Sequence, residues 1–528
     1  MAATFEYGAV VGQPESDSAA VSILKKGGNA VDAAVAGAFL ACVLAPKSCG
    51  IGGYGGAMTA YINGEVVSVD FNTVAPEAAD SKMFRVTRSD GRFGSAVSEF
   101  ANEVGYKAIS VPGVLAGLGL AQEKFGKMSL AEVMAPAIRA CERGFRVSAN
   151  YAAGVAEHED RIREFPETAR LLLVDGEVPT SSDRSKNAYL GKMLSQVAEK
   201  GVREFYEGRI GERIAKHIEE NGGVLTKDDL AKYEARVVDP VHTVCMEYDV
   251  YSSPLTSAGL SIAQMCAIAD EAELDLYARD AAKLSHGLVE IIRAAWMDRY
   301  RHFGDPQKMD VPIDMLMSDV NIGATAKEIS THIADGTRGQ ALLRPLYTGG
   351  TTHICTADAQ NNMVALTLTQ GPSFGSFVTI PRMGLLMNAG MSRFDPGSGL
   401  KNSVGPGKAP INNMAPTIVL QDGEPFMTLG ASGGTRIPST LFQVLARRLV
   451  LEEDAEWSVA APRVHSEGNE WVRLEEEFGE AAPDYLKSMG YTINKKGSAA
   501  ASVRMIEAVE DGWLAVYDPR MKAREKGY

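Results

Sequence analysis

The chain has 528 residues, of which 45% are hydrophobic and 23% are charged. This length suggests about two or three domains or one large α/β unit, and the composition is that of a globular protein rather than a disordered one. Fifty-three Lys and Arg against sixty-seven Asp and Glu give a net charge of −14, which argues against a protein that binds nucleic-acid phosphates and against a basic membrane-surface protein.

The start of the chain and its apolar segments contain no targeting or membrane signal. The first ten residues lack a basic region and include Glu6, and the longest apolar run, residues 30–46, is interrupted by Asp32 and is short for a membrane span. The six cysteines show no CxxC spacing and the eight histidines form no HExxH motif, so neither a metal site nor a disulfide framework is indicated. We therefore expect a cytoplasmic protein without metal, cofactor, nucleic-acid partner or membrane partner.

The first hundred residues predict helices followed by strands. A helix covers residues 15–26 and ends at a Gly-Gly pair, and Asn29 caps a second helix. A glycine-rich turn at 50–58 leads into strands at 58–64 and 65–71, which an Asn-Gly pair joins as a hairpin.

The rest of the chain divides into a helical part and a β-rich part. Residues 110–304 are mostly helical by their apolar spacing, and residues 304–350 predict an exposed, flexible connection. From residue 351 the pattern changes to strands, with alternating apolar positions. Later elements are strands within 384–388, 416–430 and 501–518 and a helix that opens near Ser439 and runs to residue 454. This order predicts sheets with helices outside them.

Two G-x-S-x-G segments, at 371–375 and 430–434, raise the possibility of a serine hydrolase. The second segment has the strand–turn–helix context that a nucleophilic serine needs. Asp454 and His465 follow it in the order found in α/β-hydrolases, but they lie close behind it with no separate strand to carry each. The serine-hydrolase interpretation is therefore one alternative.

A second candidate nucleophile is Thr351, which follows Gly350 where the flexible connection meets the first strand. A threonine hydroxyl becomes a useful nucleophile when a base lies within hydrogen-bond reach. If the chain is cut before Thr351, the new α-amine, with a pKa near 8, can be that base. The alternative interpretation is that Thr351 simply begins a β-strand.

The pair Gly433-Gly434 lies just before a predicted helix start, in the segment TLGASGGTRIPST. Two backbone N–H groups at such a position can converge on one point and stabilise a tetrahedral oxyanion. The alternative is an ordinary tight turn between a strand and a helix.

Several ordered motifs along almost the whole chain resemble those of the γ-glutamyltranspeptidase family, whose members are N-terminal nucleophile hydrolases. The matching segments are GGNAVDAAVA (27–36), GIGG (50–53), AP (75–76), VPG (111–113), TTH (351–353), Asn388, MAPT (414–417), GG and RI (433–434 and 436–437) and DPR (518–520). The resemblance implies an α/β fold, a four-layer αββα sandwich. It also makes Ser373 and Ser432 loop residues rather than nucleophiles.

The resemblance implies that Thr351 is the nucleophile, released when the chain cuts itself between Gly350 and Thr351. The products would be a large chain of residues 1–350 and a small chain of residues 351–528, which together form one intertwined unit and could associate further into a homo-oligomer. Thr369 matches a second threonine that hydrogen-bonds the nucleophile.

Further roles follow for residues around this centre. The resemblance implies that Gly433 and Gly434 form the oxyanion hole. We expect Arg436 to hold that loop in place, and we expect His353, His465 and Cys355 to have packing or hydrogen-bonding roles.

The sequence departs from the family where the family binds the amino-acid part of a γ-glutamyl donor. The departures are Asn72 in place of Arg, Gly371 in place of Asn, Gly390 and Arg393 in place of Gln and Asp, and Asn412-Asn413 in place of Ser-Ser. The catalytic centre is therefore kept and the substrate clamp is changed.

The change at position 393 reverses the charge beside the donor. An aspartate attracts the α-ammonium of a γ-glutamyl group, whereas Arg393 repels it and favours a carboxylate. We therefore expect hydrolysis of a small amide whose acyl group carries a carboxylate but no α-amine, such as an oxalyl, succinyl or glutaryl group. The segment 395–411 also looks shorter than in members that carry a lid.

Three alternatives to this function are open. One is a genuine γ-glutamyl transferase or hydrolase that acts on glutathione-like donors. The others are a non-catalytic homologue and a hydrolase of lactams or acyl C–C bonds.

Overall fold

The structure is a computed structural model that describes residues 2–89, 95–340, 350–494, 498–521 and 526–527. Part of the predicted flexible connection, residues 341–349, lies outside the described residues. No helix in the described ranges is long and apolar enough to cross a membrane.

The described residues form 23 strands. In chain order they are β1 Ala2–Phe5, β2 Gly8–Val11, β3 Gly55–Ile62, β4 Glu65–Asp70, β5 Val86–Ser89, β6 Ser95–Val97, β7 Phe145–Arg146, β8 Arg184–Ser185, β9 Arg236–Val238, β10 Val241–Cys245, β11 Tyr248–Ser252, β12 Gly350–Asp358, β13 Met363–Gly371, β14 Thr379–Ile380, β15 Leu385–Leu386, β16 Thr417–Gln421, β17 Glu424–Ser432, β18 Val464–His465, β19 Trp471–Leu474, β20 Thr492–Asn494, β21 Ser502–Val509, β22 Gly512–Tyr517 and β23 Lys526–Gly527.

The same residues form 18 α-helices. They are α1 Pro14–Lys25, α2 Ala30–Leu44, α3 Val114–Phe125, α4 Leu130–Arg143, α5 Ala149–Glu157, α6 Glu159–Arg163, α7 Pro166–Leu172, α8 Ala188–Lys200, α9 Arg203–Tyr206, α10 Arg209–Glu220, α11 Lys227–Lys232, α12 Gly259–Glu271, α13 Ala281–His302, α14 Ile313–Leu316, α15 Asp319–Asp335, α16 Arg436–Leu445, α17 Ala455–Ala460 and α18 Ala481–Ser488.

Two seven-stranded antiparallel sheets pack face to face at the centre of the molecule. Their strand orders are β1-β22-β21-β17-β16-β11-β10 and β23-β2-β12-β13-β3-β4-β9. Helices α1 to α4 cover the outer face of the second sheet, and α12, α13, α15 and α16 cover the outer face of the first. The layers are therefore helix, sheet, sheet and helix, which confirms the predicted αββα fold.

The alternation predicted for β12 and β13 places their side chains in two different cores. Ile354, Leu366 and Leu368 pack toward α2, whereas Cys355 and Ala365 lie in the core between the two sheets. Because both faces of these strands are covered, strand β12 is held rigidly on both sides.

The helix predicted after Asn29 begins as expected, at Ala30. The Asn29 side chain accepts a hydrogen bond from the Asp32 N–H at 2.9 Å, and the Asp32 carboxylate accepts one from the Asn29 N–H at 2.7 Å. This complete capping box satisfies two N–H groups at the helix start and fixes α2 beneath β12.

The prediction of an exposed connection at 304–350 is wrong for residues 313–335, which form α14 and α15. Ile322, Ile329 and Ile333 lie on one face of α15 and are buried against α12 and α13. Their spacing is helical, so the signal was present in the sequence.

The region 110–304, predicted to be mostly helical, also contains strands β7 to β11. Of these, β10 and β11 extend the first sheet, in which β11 pairs with β16. Met246 takes a positive φ of 53° in the turn between them. Because Gly or Asn is the usual signal for such a turn, this hairpin lacked its sequence marker.

Segments from before and after position 350 alternate in both sheets. In one sheet β12 and β13 lie between β2 and β3, and in the other β16 pairs with β11. Neither segment contains either of the two seven-stranded sheets in full.

Candidate active site

Thr351 lies near the start of β12, at the centre of its sheet. The pairing with β13 is irregular at this point, so that Thr351 lies opposite two residues, Thr369 and Gln370. Such a bulge redirects side chains locally. Thr351 is half-buried and lines a cavity of about 460 Å³ together with Ser432 and Arg504.

Thr369 contacts the carbonyl group that precedes the candidate nucleophile. Its Oγ1 donates a hydrogen bond to the Gly350 carbonyl oxygen at 2.5 Å and accepts one from the Gly371 N–H at 3.0 Å. The second bond orients the hydroxyl, and the first polarises the carbonyl that Thr351 must attack if the chain cuts itself. In the uncut chain Thr369 therefore contacts the carbonyl group of the bond at which cleavage is predicted.

We expect Thr369→Val to slow self-cleavage by about 10- to 150-fold, because the oxyanion that develops on Gly350 loses one charge-assisted hydrogen bond. The rate at which full-length chain turns into two fragments on a denaturing gel measures this effect. Thr369→Ser keeps the hydroxyl and serves as the control. Equal cleavage rates for the valine and serine variants would contradict this role.

Tyr54 is a buried residue of this centre that the sequence analysis treated only as part of a glycine-rich turn. Burial raises the pKa of its phenol, although the charge of Arg393 and the Thr369 hydroxyl act in the opposite direction. A side chain at Gly390 would lie 1.9 Å from the Ser110 Oγ and 2.8 Å from the Tyr54 Cβ. The only sequence feature that could have indicated Tyr54 is that it is a single large residue within the glycine-rich segment GIGGYGGAM.

The glycine pair lies between β17 and α16. No hydrogen bond joins the N–H of Gly433 or Gly434 to another residue in the described part of the chain. Arg436 donates from Nε to the Gly433 carbonyl at 3.0 Å and from Nη1 to the Ser498 carbonyl at 3.3 Å. The two N–H groups are thus available to a ligand, and Arg436 anchors their loop as predicted.

The hydrogen bonds around the second G-x-S-x-G segment do not form a serine-hydrolase triad. The Ser432 hydroxyl accepts from a guanidinium at 2.6 Å. His465 instead contacts Ser439 at 2.9 Å and Glu467 at 3.2 Å, and Asp454 caps α17. These residues serve packing and capping.

His353 and Cys355 are buried beside the candidate nucleophile. His353 Nδ1 lies 2.8 Å from the Thr367 hydroxyl, and its Nε2 lies 3.2 Å from the Cys355 sulfur. Burial and the charge of Arg504 hold the pKa of His353 well below its usual range. A neutral, fully buried imidazole agrees with the predicted packing role.

A second, narrower cavity begins beside the glycine pair. Thr435, the residue directly after the pair, lines it together with Arg393, Asp395, Asn413 and Arg299. Arg393 ends a short 3₁₀ turn that starts at the residue next to Tyr54. The cavity therefore brings Arg393 into the same space as the residue that follows the glycine pair.

Arg299, on α13, is a cavity residue that the sequence analysis missed. Its guanidinium is buried and hydrogen-bonds the main-chain oxygen of Asn412 and, at 3.1 Å, the Oδ1 of Asn413. The helix was predicted, but the spacing of its apolar residues does not distinguish this arginine from the other arginines nearby in the helix.

Asn72 and Asn412 hold the loop that leads to this cavity and are not among the described residues that line it. Asn72 Nδ2 donates to Thr256 Oγ1 and to the Pro410 carbonyl, both at 2.7 Å, and Asn412 Oδ1 accepts from the Met414 N–H at 2.9 Å. Substrate binding by either residue stays a prediction.

No group of three or more His, Cys, Asp or Glu side chains that could hold a metal ion occurs within the described ranges. The functional groups of the site are a hydroxyl, backbone N–H donors and guanidinium groups. This set is suited to acyl transfer through an oxyanion.

Comparison with known proteins agrees with this chemistry. The gamma-glutamyltranspeptidase family model matches residues 16–528. The chain is 31% identical to the glutathione hydrolase proenzyme of Escherichia coli (strain K12), over 95% of this chain and 88% of that protein, and 30% identical to the acylase ACY 1 proenzyme of Pseudomonas sp. (strain SE83), over 96% and 90%. The cephalosporin acylase of Bacillus halodurans shares the fold, with a TM-score of 0.88, 24% identity and coverage of 100% of this chain and 97% of that one. The chain belongs to the gamma-glutamyltranspeptidase family and is an enzyme of the N-terminal nucleophile amidohydrolase or transferase type.

Proposed function

We propose that this enzyme cuts itself between Gly350 and Thr351 and then hydrolyses a small amide whose acyl group carries a carboxylate but no α-amine. The observation that carries the substrate class is that Arg393 lines the same cavity as Thr435, the residue directly after the glycine pair. Oxalyl, succinyl and glutaryl amides belong to this class.

The proposed reaction begins with the free α-amine of Thr351, which takes the proton of its own hydroxyl. The Oγ attacks the amide carbonyl, and the N–H groups of Gly433 and Gly434 stabilise the oxyanion. The C–N bond then breaks, and the proton passes to the leaving amine. Water attacks the resulting ester with the same amine as base, which releases the carboxylic acid and restores the hydroxyl.

The charge of the acyl cavity supports a donor with a carboxylate. Arg299 and Arg393 bring two guanidinium groups to the cavity, and Asp395 brings one carboxylate. A guanidinium binds a carboxylate through charge-assisted hydrogen bonds, whereas an ammonium group beside it is repelled. A γ-glutamyl donor carries such an ammonium, so we expect it to be the poorer substrate.

The second candidate function is γ-glutamyl transfer or hydrolysis. The relatives named glutathione hydrolase favour it, and they are as similar to this chain as the relatives named acylase. A panel of p-nitroanilides with glutaryl, pentanoyl and γ-glutamyl groups separates the two functions. A wild-type enzyme that prefers the γ-glutamyl donor, with acceleration by glycylglycine, would contradict the proposed substrate class.

We expect Arg393→Ala to lower kcat/KM for glutaryl-p-nitroanilide by about 10- to 150-fold, because a charge-assisted contact of this kind contributes about 1.5–3 kcal/mol. The neutral pentanoyl compound, which has the same chain length, should lose far less. Initial rates over a range of substrate concentrations measure both values.

The control is Arg382→Ala, which removes an exposed arginine away from the cavity. It should leave both substrates unaffected. If Arg393→Ala lowers kcat/KM equally for the two substrates, the arginine stabilises the cavity but does not bind the substrate carboxylate.

A further inference from the structure

Arg299 carries a buried positive charge that makes no ion pair with a carboxylate of the described residues. The side chain is 2% exposed, and in the described part of the chain no Asp or Glu lies within ion-pair distance of it. Its Nη2 donates to Asn412 and Asn413, but its Nη1 has no hydrogen-bond partner. A buried guanidinium with an unused donor is unfavourable unless an anion joins it.

The surroundings of Arg299 keep it charged. The rings of Trp296 and Phe303 lie 5.5 and 5.6 Å from the guanidinium carbon, within the range of cation–π attraction. Burial lowers the pKa of Arg299 to about 10, which still leaves the group protonated at neutral pH. The charge of Glu467 favours the protonated form, although Glu467 forms no ion pair with Arg299. The protein therefore maintains a fixed cation at this point.

This cation belongs to the same cavity as Arg393. Arg299 comes from α13 and Arg393 from the short turn after Ala389, so two separate elements bring guanidinium groups to one space, with the Asn413 amide beside them. Asp395 and Lys401 also line this cavity. Two guanidinium groups and an amide are complementary to a planar, singly charged carboxylate.

We propose that Arg299 is a specificity-determining residue that binds the carboxylate of the acyl donor together with Arg393. The inference rests on the proposed function, and it adds a second arginine from a different element of the fold. The donor would supply the anion that the buried charge lacks. Asn72 is uncharged and its amide nitrogen is occupied by Thr256 and Pro410, so it does not provide the positive charge.

The first test is Arg299→Lys, which keeps the charge but removes the planar fork of donors. We expect kcat/KM for glutaryl-p-nitroanilide to fall by about 10- to 150-fold, with a much smaller change for pentanoyl-p-nitroanilide. Self-cleavage of the variant into two fragments shows that the nucleophile and its surroundings are assembled. Arg301→Ala, an exposed position on the same helix, is the matched control and should behave as wild type.

The second test leaves Arg299 in place. Asn413→Asp puts a carboxylate next to the guanidinium of Arg299. This carboxylate should accept a hydrogen bond from the unused N–H group and repel the carboxylate of the substrate. We expect the ratio of glutaryl to pentanoyl kcat/KM to fall, with self-cleavage unchanged. This variant keeps the inference testable if Arg299→Lys does not fold.

A double-mutant cycle separates binding from support of the loop. If both arginines bind one carboxylate, the combined loss in Arg299→Lys with Arg393→Ala should be smaller than the product of the single losses. An unchanged glutaryl to pentanoyl ratio in Arg299→Lys and Asn413→Asp would overturn the inference while the Arg393 result stands. A wild-type enzyme without preference for glutaryl over pentanoyl would instead overturn the proposed function itself.

Discussion

Replacement of Thr351 by alanine should leave the protein as one uncut chain with no measurable amidase activity. The hydroxyl is the group that attacks the Gly350 carbonyl during self-cleavage and the substrate carbonyl afterwards, so its loss removes both reactions. Position 351 is half-buried, and alanine fits a β-strand, so we expect the fold to persist. Denaturing gels and N-terminal sequencing measure the result, since the smaller wild-type fragment should begin TTHICTAD.

Thr351→Ser is the control for this experiment, because it keeps a hydroxyl at the same place. It should cut itself and retain part of the activity. Cleavage before residue 351 in the alanine variant would show that the reaction is not intramolecular. A wild-type protein that hydrolyses amides while uncut would show that the α-amine is not the base.

The position of the candidate catalytic groups in the fold could be predicted from the sequence because their signals are local. Thr351 follows two glycines at the start of a strand, and Gly433-Gly434 separate a strand from a helix. The structure brings both to the same region, since Ser432 next to the pair lines one cavity with Thr351. Local order left a plain strand start and an ordinary turn as alternatives, and the family resemblance was needed to favour the catalytic roles.

The acyl cavity could not be predicted in the same way, because residues distant in sequence form it. Arg299 lies on the outer helix layer of one sheet, whereas Arg393 follows the strands of the other. Neither the helical spacing nor the strand alternation of apolar residues predicts which residues from different layers of the fold come into contact. Tyr54 was missed for a similar reason, because its importance comes from contacts with Thr369 and Gly390.

The errors in the fold have equally specific causes. The connection at 304–350 is rich in polar residues, which hid the buried face of α15. The β10–β11 hairpin turns at Met246, a residue type that does not mark turns. In both cases tertiary packing outweighs the composition of the segment.

The position of the oxyanion loop predicts a second large effect. Gly433 has a φ of 159°, and a Cβ atom at this residue would lie 2.6 Å from the Ala501 Cβ and 2.7 Å from the Ala501 Cα. Gly434 has a φ of 66°, in the left-handed region that favours glycine. Because Ala501 belongs to the segment that enters β21, the loop has to move when a side chain is added at 433. The N–H groups would then no longer point to the position of the developing oxyanion.

We therefore expect Gly433→Ala to lower kcat by about 10²- to 10³-fold, the usual cost of losing one oxyanion donor, and Gly433→Val to lower it at least as much. KM should change little, because the acyl cavity around Arg393 is built from other residues. Gly397→Ala is the matched control, since a Cβ there meets no atom within 4 Å. Steady-state rates and thermal melting of the cut proteins give the measurement. Turnover near that of wild type in Gly433→Ala, with an intact fold, would place the oxyanion donors elsewhere and leave the unpaired N–H groups of this loop without a function.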